Sequence, residues 1–225
     1  MNAAISVYLA FVLGITSTSC DKENNLQYDI TNPAKKCDLP EILQEISGIT
    51  ELDSSHIVCV QDENGILFIV DINTGEITNQ YAFGEDGDYE GITRVENIVY
   101  ILRSDGILIE LSGWDSGNVK SQTYSTNIPA KNNEGLCYDP GNNRLLIGCK
   151  TKAGKGSEFK DVRSIYAFDL NTKKLSDQPV FEFNVSEIAD YAKSKGIKLP
   201  TKTKKKTKEI AENFKMGLLN STQKQ

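Results

Sequence analysis

A five-residue motif that occurs three times is the feature that most constrains how this chain can fold. It reads Ile46-Ser47-Gly48-Ile49-Thr50, then Tyr89-Glu90-Gly91-Ile92-Thr93, then Asn133-Glu134-Gly135-Leu136-Cys137. The copies begin at positions 46, 89 and 133. A repeat at this spacing indicates a fold assembled from similar structural units placed side by side.

Each copy is followed by short runs rich in Val, Ile, Tyr and Phe, with turn residues such as Ser104-Asp105-Gly106 between them. Such runs are typical of antiparallel strands, and four strands in about 40–50 residues are typical of a propeller blade. The sequence therefore predicts an all-β fold, a β-propeller in region 28–184 with four-stranded antiparallel blades at about 45–84, 89–125 and 133–184. A β-sandwich would have regular strands without repeating one motif at this spacing. The recurrent glycine fits a propeller, because converging inner strands leave no room for a side chain beside the neighbouring blade.

The first 27 residues read as an export segment. Ala3 to Ile15 is apolar apart from Ser6, too short to span a bilayer, and is followed by Ser17-Thr18-Ser19-Cys20 and then by polar residues. The pattern resembles a bacterial lipoprotein signal peptide at 1–20, with a tether at 21–27. On this interpretation Cys20 is lipidated, anchors the chain to the outer or plasma membrane, and places the domain on the extracytoplasmic face of the cell envelope. The alternative is an ordinary secretory signal, with Cys20 removed or left free.

The pattern changes in region 185–225. Val185 to Lys195 has helical spacing, with Ser186 as a candidate cap, and predicts one short helix near the C-terminus. A lysine-rich run from Lys202 to Lys208 reads as a solvated, irregular tail. Propellers have about four to eight blades, so the three blades predicted here are too few to close a ring. The chain would then be a truncated propeller, or one that closes by pairing with another copy.

Composition removes several classes of function. A net charge of −6 argues against nucleic-acid binding. The single histidine, His56, stands beside a strand-like run and reads as the start of that strand. None of the five cysteines forms a CxxC pair. Cys137 should face Leu146 or Ile147 rather than Cys149, so we expect free, mostly buried thiols, with a Cys37–Cys59 disulfide left as a possibility.

Four segments together resemble the SdiA-regulated family. They are Leu39-Pro40 with the first motif copy, Asp88-Tyr89-Glu90-Gly91-Ile92, Asn133-Glu134-Gly135-Leu136, and Arg163-Ser164-Ile165-Tyr166-Ala167-Phe168. The resemblance covers about 28–184 and implies an extracytoplasmic six-bladed propeller related to phytase-like and esterase-like propeller proteins. Family members have no well-defined molecular function, so the resemblance bears on fold and location more than on chemistry.

Candidate site residues follow from the repeat. Ser47, Glu90 and Glu134 occupy one slot in successive blades and should ring a mouth of the central channel. Converging carboxylates repel each other and favour a bound cation, and oxygen ligands favour Ca²⁺ over zinc; lactonase-type propellers, which look similar, carry a catalytic metal on a Glu-Gly inner-strand motif. The alternative is that the glutamates bond backbone amides of the neighbouring blade.

Two basic residues and an acidic loop are the remaining candidates for a functional site. Arg103 and Lys150 follow the second strands of the second and third blades and could bind an anion, or could be solvated strand ends. Glu85-Asp86-Gly87-Asp88 is acidic but lacks the EF-hand pattern, which favours an inter-blade loop. Two functions stay open: a non-enzymatic ligand- or partner-binding lipoprotein, and a calcium-dependent hydrolase of the lactonase, esterase or phytase kind.

Overall fold

The structure is a computed structural model that describes residue 33 and residues 35–199. The predicted signal peptide with Cys20, the tether and the lysine-rich run after 200 lie outside the described residues. Contacts divide the chain into two units, Met1–Lys36 and Cys37–Gln225. Every element described below belongs to the second unit.

The second unit contains three antiparallel sheets in chain order, as an array of propeller blades requires. The first blade comprises β1 (Ile46–Glu51), β2 (His56–Gln61), β3 (Ile66–Asp71) and β4 (Ile77–Ala82), and the second comprises β5 (Tyr89–Val95), β6 (Ile98–Arg103), β7 (Ile107–Ser112) and β8 (Lys120–Ser125). The third comprises β9 (Asn133–Asp139), β10 (Arg144–Cys149), β11 (Val162–Asp169), β12 (Lys174–Leu175) and β13 (Phe181–Asn184). The prediction of an all-β, propeller-type fold is confirmed.

The outer edge of the third blade is not a single continuous strand. β12 pairs with the end of β11 and β13 pairs with its beginning. Between them, Ser176 N donates to Ala167 O at 2.7 Å and Val180 N donates to Ile165 O at 2.8 Å. One outer edge is thus divided by a short loop, and the two-residue β12 was too short to show a pattern in the sequence.

Apolar side chains of the second and third strands fill the spaces between blades. One buried cluster joins the first and second blades around Val58, Leu67, Ile101 and Leu111, and another joins the second and third around Leu102, Leu108, Leu145 and Phe168. Each such side chain contributes roughly 1.5–3 kcal/mol when it is fully buried. The continuous apolar runs in β3 and β6 reflect strands that are covered on both faces.

The recurrent glycine marks the closest approach between blades. A Cβ atom on Gly48 would lie 2.8 Å from Ile92 N, and one on Gly91 would lie 2.9 Å from Leu136 Cβ. The inner strands β1, β5 and β9 therefore lie against each other at a distance that only glycine allows. The physical reason given for the glycine from the sequence is confirmed at these two positions.

The short helix α1 (Val185–Ser194) follows β13, close to its expected bounds. Ser186 is not its cap: the side chain of Asn184 accepts hydrogen bonds from the backbone N–H groups of Ser186 and Glu187. The predicted apolar stripe is largely open to solvent, since Val185 is 40% and Ile188 is 53% exposed. Among the described residues, no helix is long and apolar enough to cross a membrane.

The four described cysteines are all free thiols. The Cys37–Cys59 disulfide is therefore not formed, with Cys37 exposed and Cys59 buried. Cys137 pairs with Leu146 across β9 and β10, as expected, but it is exposed rather than buried. Burial raises the pKa of the Cys59 and Cys149 thiols to about 11, so these two are held as neutral apolar side chains.

Candidate functional site

The three candidate residues at equivalent positions of the repeat, Ser47, Glu90 and Glu134, each lie in a β-bulge. In β1 the register passes from Ile46 to Gly48, so Ser47 is the extra residue. Glu90 is the extra residue in β5, and Glu134 is the extra residue in β9. A bulge redirects a side chain out of the regular alternation of a strand. Three bulges at equivalent positions therefore place Ser47, Glu90 and Glu134 along one rim, at the ends where the inner strands begin.

Backbone hydrogen bonds fasten this rim from blade to blade. Tyr89 N donates to Asp62 O of the first blade at 2.8 Å, and Asn133 N donates to Ser104 O of the second blade at 3.1 Å. The Asn133 side chain is 0% exposed, and its Nδ2 also donates to Ser104 O, at 2.9 Å. The residue that precedes each glutamate is thus fixed on the preceding blade, and the rim is a rigid surface.

The candidate anion-binding residue Lys150 and the candidate metal ligand Glu134 form an ion pair. Lys150 Nζ lies 2.5 Å from Glu134 Oε1, and this hydrogen bond and charge raise the pKa of Lys150. Lys150 follows β10, and its backbone N donates to Asn132 O at 2.9 Å, which holds the lysine beside the start of β9. The sequence assigned these two residues to separate sites, and the structure brings them together.

Glu90 forms no ion pair with any of the residues that the structure describes. Its side chain is half-buried, and burial, followed by the negative charges of Glu134 and Asp88, raises the pKa of its carboxyl group. The positive charge of Lys150 opposes this rise. Asp88 in turn accepts a hydrogen bond from Ser104 Oγ at 2.5 Å. Three carboxylates and one lysine therefore share one electrostatic environment.

The glutamates do not bond the neighbouring blade's amides, which was the structural alternative. Within residues 35–199, Glu134 is bound by Lys150 of its own blade, and no backbone N–H donates to the Glu90 carboxylate. Ser47 contributes no charge, and its Oγ donates to Glu45 O at 3.5 Å. Of these three positions, the first blade therefore contributes an uncharged side chain to the rim, and the second and third blades each contribute a glutamate.

Arg103 is not equivalent to Lys150. It is the last residue of β6, whereas Lys150 lies one position beyond β10 and corresponds to Ser104. Its Nη2 lies 2.5 Å from Asp105 Oδ2, so its charge is balanced within its own turn. The structure thus places only one of the two basic candidates on the carboxylates of the rim.

A pocket of about 350 Å³ adjoins the Glu134–Lys150 pair. Arg163, Ser164 and Phe183 also line it. Ser164 is 2% exposed, and its Oγ has no hydrogen-bond partner among the described residues. Sequence reasoning quoted Arg163 and Ser164 only as part of a family resemblance. Arg163 and Ser164 line this pocket together with Phe183 because β11 pairs with β13, which places Phe183 opposite Arg163.

The remaining candidates lie elsewhere. His56 begins β2, at the end of the first blade opposite the rim, and its Nδ1 lies 3.1 Å from Asp53 Oδ1. Residues 85–88 connect β4 to β5, as expected of an inter-blade loop, and Tyr89 Oη donates to Glu85 O at 2.6 Å. Asp88 is the member of this loop that lies at the rim, and the sequence identified it only as part of the acidic loop and of one resemblance segment.

At the rim, one of the two glutamates predicted to bind Ca²⁺ forms an ion pair with a lysine. Ca²⁺ takes about six to eight oxygen ligands, whereas here an ammonium group occupies one oxygen of Glu134. The part of the chain described by the structure contains no group of three or more His, Cys, Asp or Glu side chains arranged to hold a metal ion.

Comparison with known proteins gives structural likeness alone. No protein-family model matches the chain, and no curated protein matches it. Among solved structures, the computationally designed Ika4 protein has a TM-score of 0.43 at 13% identity, with 66% of this chain and 81% of that chain covered.

Two natural proteins give similar values. A nidogen/laminin complex has a TM-score of 0.46 at 14% identity, with 62% of this chain and 49% of that chain covered. A streptogramin B lyase has a TM-score of 0.42 at 12% identity, with 62% and 40% covered. The chain spans half or less of the length of these two natural proteins.

Proposed function

We propose that this chain is a non-enzymatic ligand- or partner-binding β-propeller whose binding site is the rim formed by Glu90, Glu134 and Lys150. The group it recognises carries a positive charge, either an organic amine or a divalent cation. One observation carries this proposal: Glu90 is the extra residue of a bulge, and burial, followed by the negative charges of Glu134 and Asp88, raises the pKa of its carboxyl group.

The physical argument is one of electrostatic compensation. Like charges held together by rigid strands destabilise each other, and an opposite charge placed between them removes that cost. Lys150 forms its ion pair with Glu134, whereas its charge only partly offsets the negative charges around Glu90. A cationic group on a ligand would complete the arrangement at Glu90, and the neighbouring pocket of about 350 Å³ provides space for the body to which it is attached.

Calorimetric titration with Ca²⁺ and with spermidine tests this function. We expect the wild-type protein to bind at least one of them and Glu90→Gln to lose that binding. Lys150→Ala should bind more tightly, because it frees a second carboxylate for the ligand. Arg103→Ala is the matched control for the loss of a basic side chain and should change nothing. Equal heats for the wild type and Glu90→Gln, or none for either cation, would contradict the proposal.

A calcium-dependent hydrolase of the lactonase, esterase or phytase kind is the second candidate. The observation in its favour is the mutual influence of Asp88, Glu90 and Glu134, since carboxylate oxygens are the ligands that Ca²⁺ prefers. A bound calcium ion would polarise a carbonyl or phosphoryl oxygen. Assays with p-nitrophenyl esters, lactones and phytate, with and without calcium, separate the two functions. Calcium-dependent turnover that disappears in Glu90→Gln with Glu134→Gln would establish the enzyme.

We also propose that the protein is a lipid-anchored member of the SdiA-regulated group on the extracytoplasmic face of the cell envelope. Support comes from the apolar run at Ala3 to Ile15, the small residues before Cys20 and the motif order through the blades. Mass spectrometry of the mature N-terminus tests the anchor. We expect a diacylated or triacylated Cys20, and a Cys20→Ala protein that remains in the membrane fraction would argue against it.

A further inference from the structure

We propose that a second site on the third blade binds an organic anion that carries a phosphate or sulfate group. The site is a cavity of about 460 Å³ between the segment that leads into β9 and the segment that follows β10. Its lining includes Pro129, Lys131, Thr151, Lys152, Ala153 and Lys155. It is separate from the pocket beside Glu134 and differs from it in charge.

All the charged side chains that line the cavity are lysines. Lys131, Lys152 and Lys155 contribute three ammonium groups, no acidic side chain lines the cavity, and none of the three lysines forms an ion pair with a described carboxylate. Lys150, one residue from the cavity lining, is by contrast neutralised by Glu134. In a chain of net charge −6, three uncompensated lysines around one concavity form a local site for an anion.

Hydrogen bonds hold the two walls of the cavity together. Thr151 Oγ1 accepts hydrogen bonds from Lys131 N at 3.3 Å and from Asn132 N at 3.4 Å. Lys152 Nζ donates to Lys155 O at 3.4 Å, which fixes one ammonium group across the loop. A Cβ atom on Gly154 would lie 2.3 Å from Phe159 Cδ2, so the loop turns closely around that ring. Lys152 and Lys155 therefore lie on a folded loop that is hydrogen-bonded through Thr151 to the segment carrying Lys131.

The chemistry of the lining defines the ligand class. Three ammonium groups favour a doubly charged phosphate, or a strongly ionised sulfate, over a single carboxylate. Pro129 and Ala153 provide an apolar surface between them, and Ala153 packs against the buried cluster of the second and third blades. This combination suits an oxyanion attached to an apolar ring or chain rather than the inorganic ion alone.

Calorimetric titration with inorganic phosphate, phenyl phosphate and phenyl sulfate at one fixed low ionic strength tests the site. We expect phenyl phosphate to bind more tightly than inorganic phosphate, and the comparison with phenyl sulfate identifies the preferred oxyanion. Replacing Lys131, Lys152 and Lys155 together by Gln should weaken binding by at least about tenfold, since each ammonium in contact with the anion contributes several-fold.

A matched variant separates the site from general charge effects. Lys120, Lys174 and Lys198 are exposed and do not line the cavity, so replacing all three by Gln makes the same change in net charge. This control should bind phenyl phosphate within about twofold of the wild type. Circular dichroism melts of both variants report whether the fold is retained. Absence of binding by the wild type, equal affinity in the cavity variant, or equal losses in both variants would overturn the proposal.

Discussion

Lys173 Nζ lies 2.7 Å from Glu110 Oε2 and joins the third blade to the second. The same ammonium group donates to Tyr100 Oη at 3.0 Å and lies 5.3 Å from the centroid of the Tyr100 ring. Burial opposes the charge on this lysine, but its hydrogen bonds to Glu110 and Tyr100 outweigh that effect and raise its pKa. The contact is a cross-blade link that combines an ion pair, a hydrogen bond and a cation–π interaction.

A double-mutant cycle with Lys173→Met and Glu110→Gln measures this link. We expect a coupling free energy of about 1–2 kcal/mol from urea unfolding, because the pair is partly buried and the hydrogen bonds are charge-assisted. The exposed Lys193–Asp190 pair, at 3.2 Å, is the control and should give less than about 0.5 kcal/mol. Equal coupling free energies in the two pairs would show that the cross-blade link stabilises the fold no more than an exposed ion pair does.

Gly91→Ala tests how closely the inner strands approach. The new Cβ atom would lie 2.9 Å from Leu136 Cβ, so we expect a loss of about 1–3 kcal/mol in the free energy of unfolding. Gly135→Ala is the matched control, since its nearest neighbour would be Gly148 Cα at 3.4 Å, and it should cost clearly less. If the two variants unfold at the same denaturant concentration, the packing of β5 against β9 is not as described.

Asp53 should contribute to stability in a pH-dependent way. Hydrogen bonds from the Ser55 backbone N and from the His56 side chain lower the pKa of this carboxyl group to about 2. A carboxyl pKa that is lower in the folded state stabilises the fold above the unfolded value, near about pH 4, and this contribution is lost as the pH falls through about 2. Asp53→Asn should therefore be less stable than the wild type near neutral pH, and the difference should shrink between about pH 4 and 2. Urea unfolding of both proteins across that range gives the comparison, and a difference that does not change with pH would contradict the assignment.

The thiols should divide into two classes. Cys37 and Cys137 are exposed, whereas Cys59 and Cys149 are buried with pKa values raised to about 11. In a Cys20→Ser protein, a maleimide reagent should label Cys37 and Cys137 rapidly and reach the buried pair only after denaturation. Peptide mapping by mass spectrometry identifies the labelled positions. Rapid labelling of Cys149 in the folded protein would mean that the cluster between the second and third blades opens readily.

The sequence allowed the blades to be predicted because each strand has a strong local pattern. β2, β6 and β10 lie within the predicted blade ranges, and each is an apolar run preceded by Asn, Asp or Ser turn residues. The divided outer edge of the third blade could not be predicted, because β12 has two residues and depends on pairing with β11. The local sequence pattern was therefore enough to predict the blades, whereas the divided edge of the third blade depends on the tertiary pairing of β11 with β12 and β13.

The site was predictable only as a set of equivalent positions. Repetition identified Ser47, Glu90 and Glu134, but the bulges that direct their side chains arise from the pairing of each inner strand with the next. Nothing in the local sequence indicated that Lys150 would bind Glu134, because this contact joins the ends of two strands. The sequence also contains a signal for the contact between Lys173 and Glu110, and this signal was not recognised.

That signal lies in two related turns. Residues 71–75 read Asp-Ile-Asn-Thr-Gly and residues 169–173 read Asp-Leu-Asn-Thr-Lys. Gly75 has φ 80° and Lys173 has φ 56°, so a lysine stands where the related turn has a glycine. A side chain in this left-handed conformation is unfavourable by itself, which points to a contact that compensates for it.

The pH titration of the Glu90 carboxyl carbon by NMR tests the rim most directly. We expect its midpoint to lie above the ordinary value for glutamate, to fall in Glu134→Gln, where a negative neighbour is removed, and to rise in Lys150→Ala, where the opposing positive charge is removed. Arg103→Ala should change the midpoint less than either variant. A midpoint at the ordinary value that neither Glu134→Gln nor Lys150→Ala shifts would contradict the existence of a single charged site at the rim.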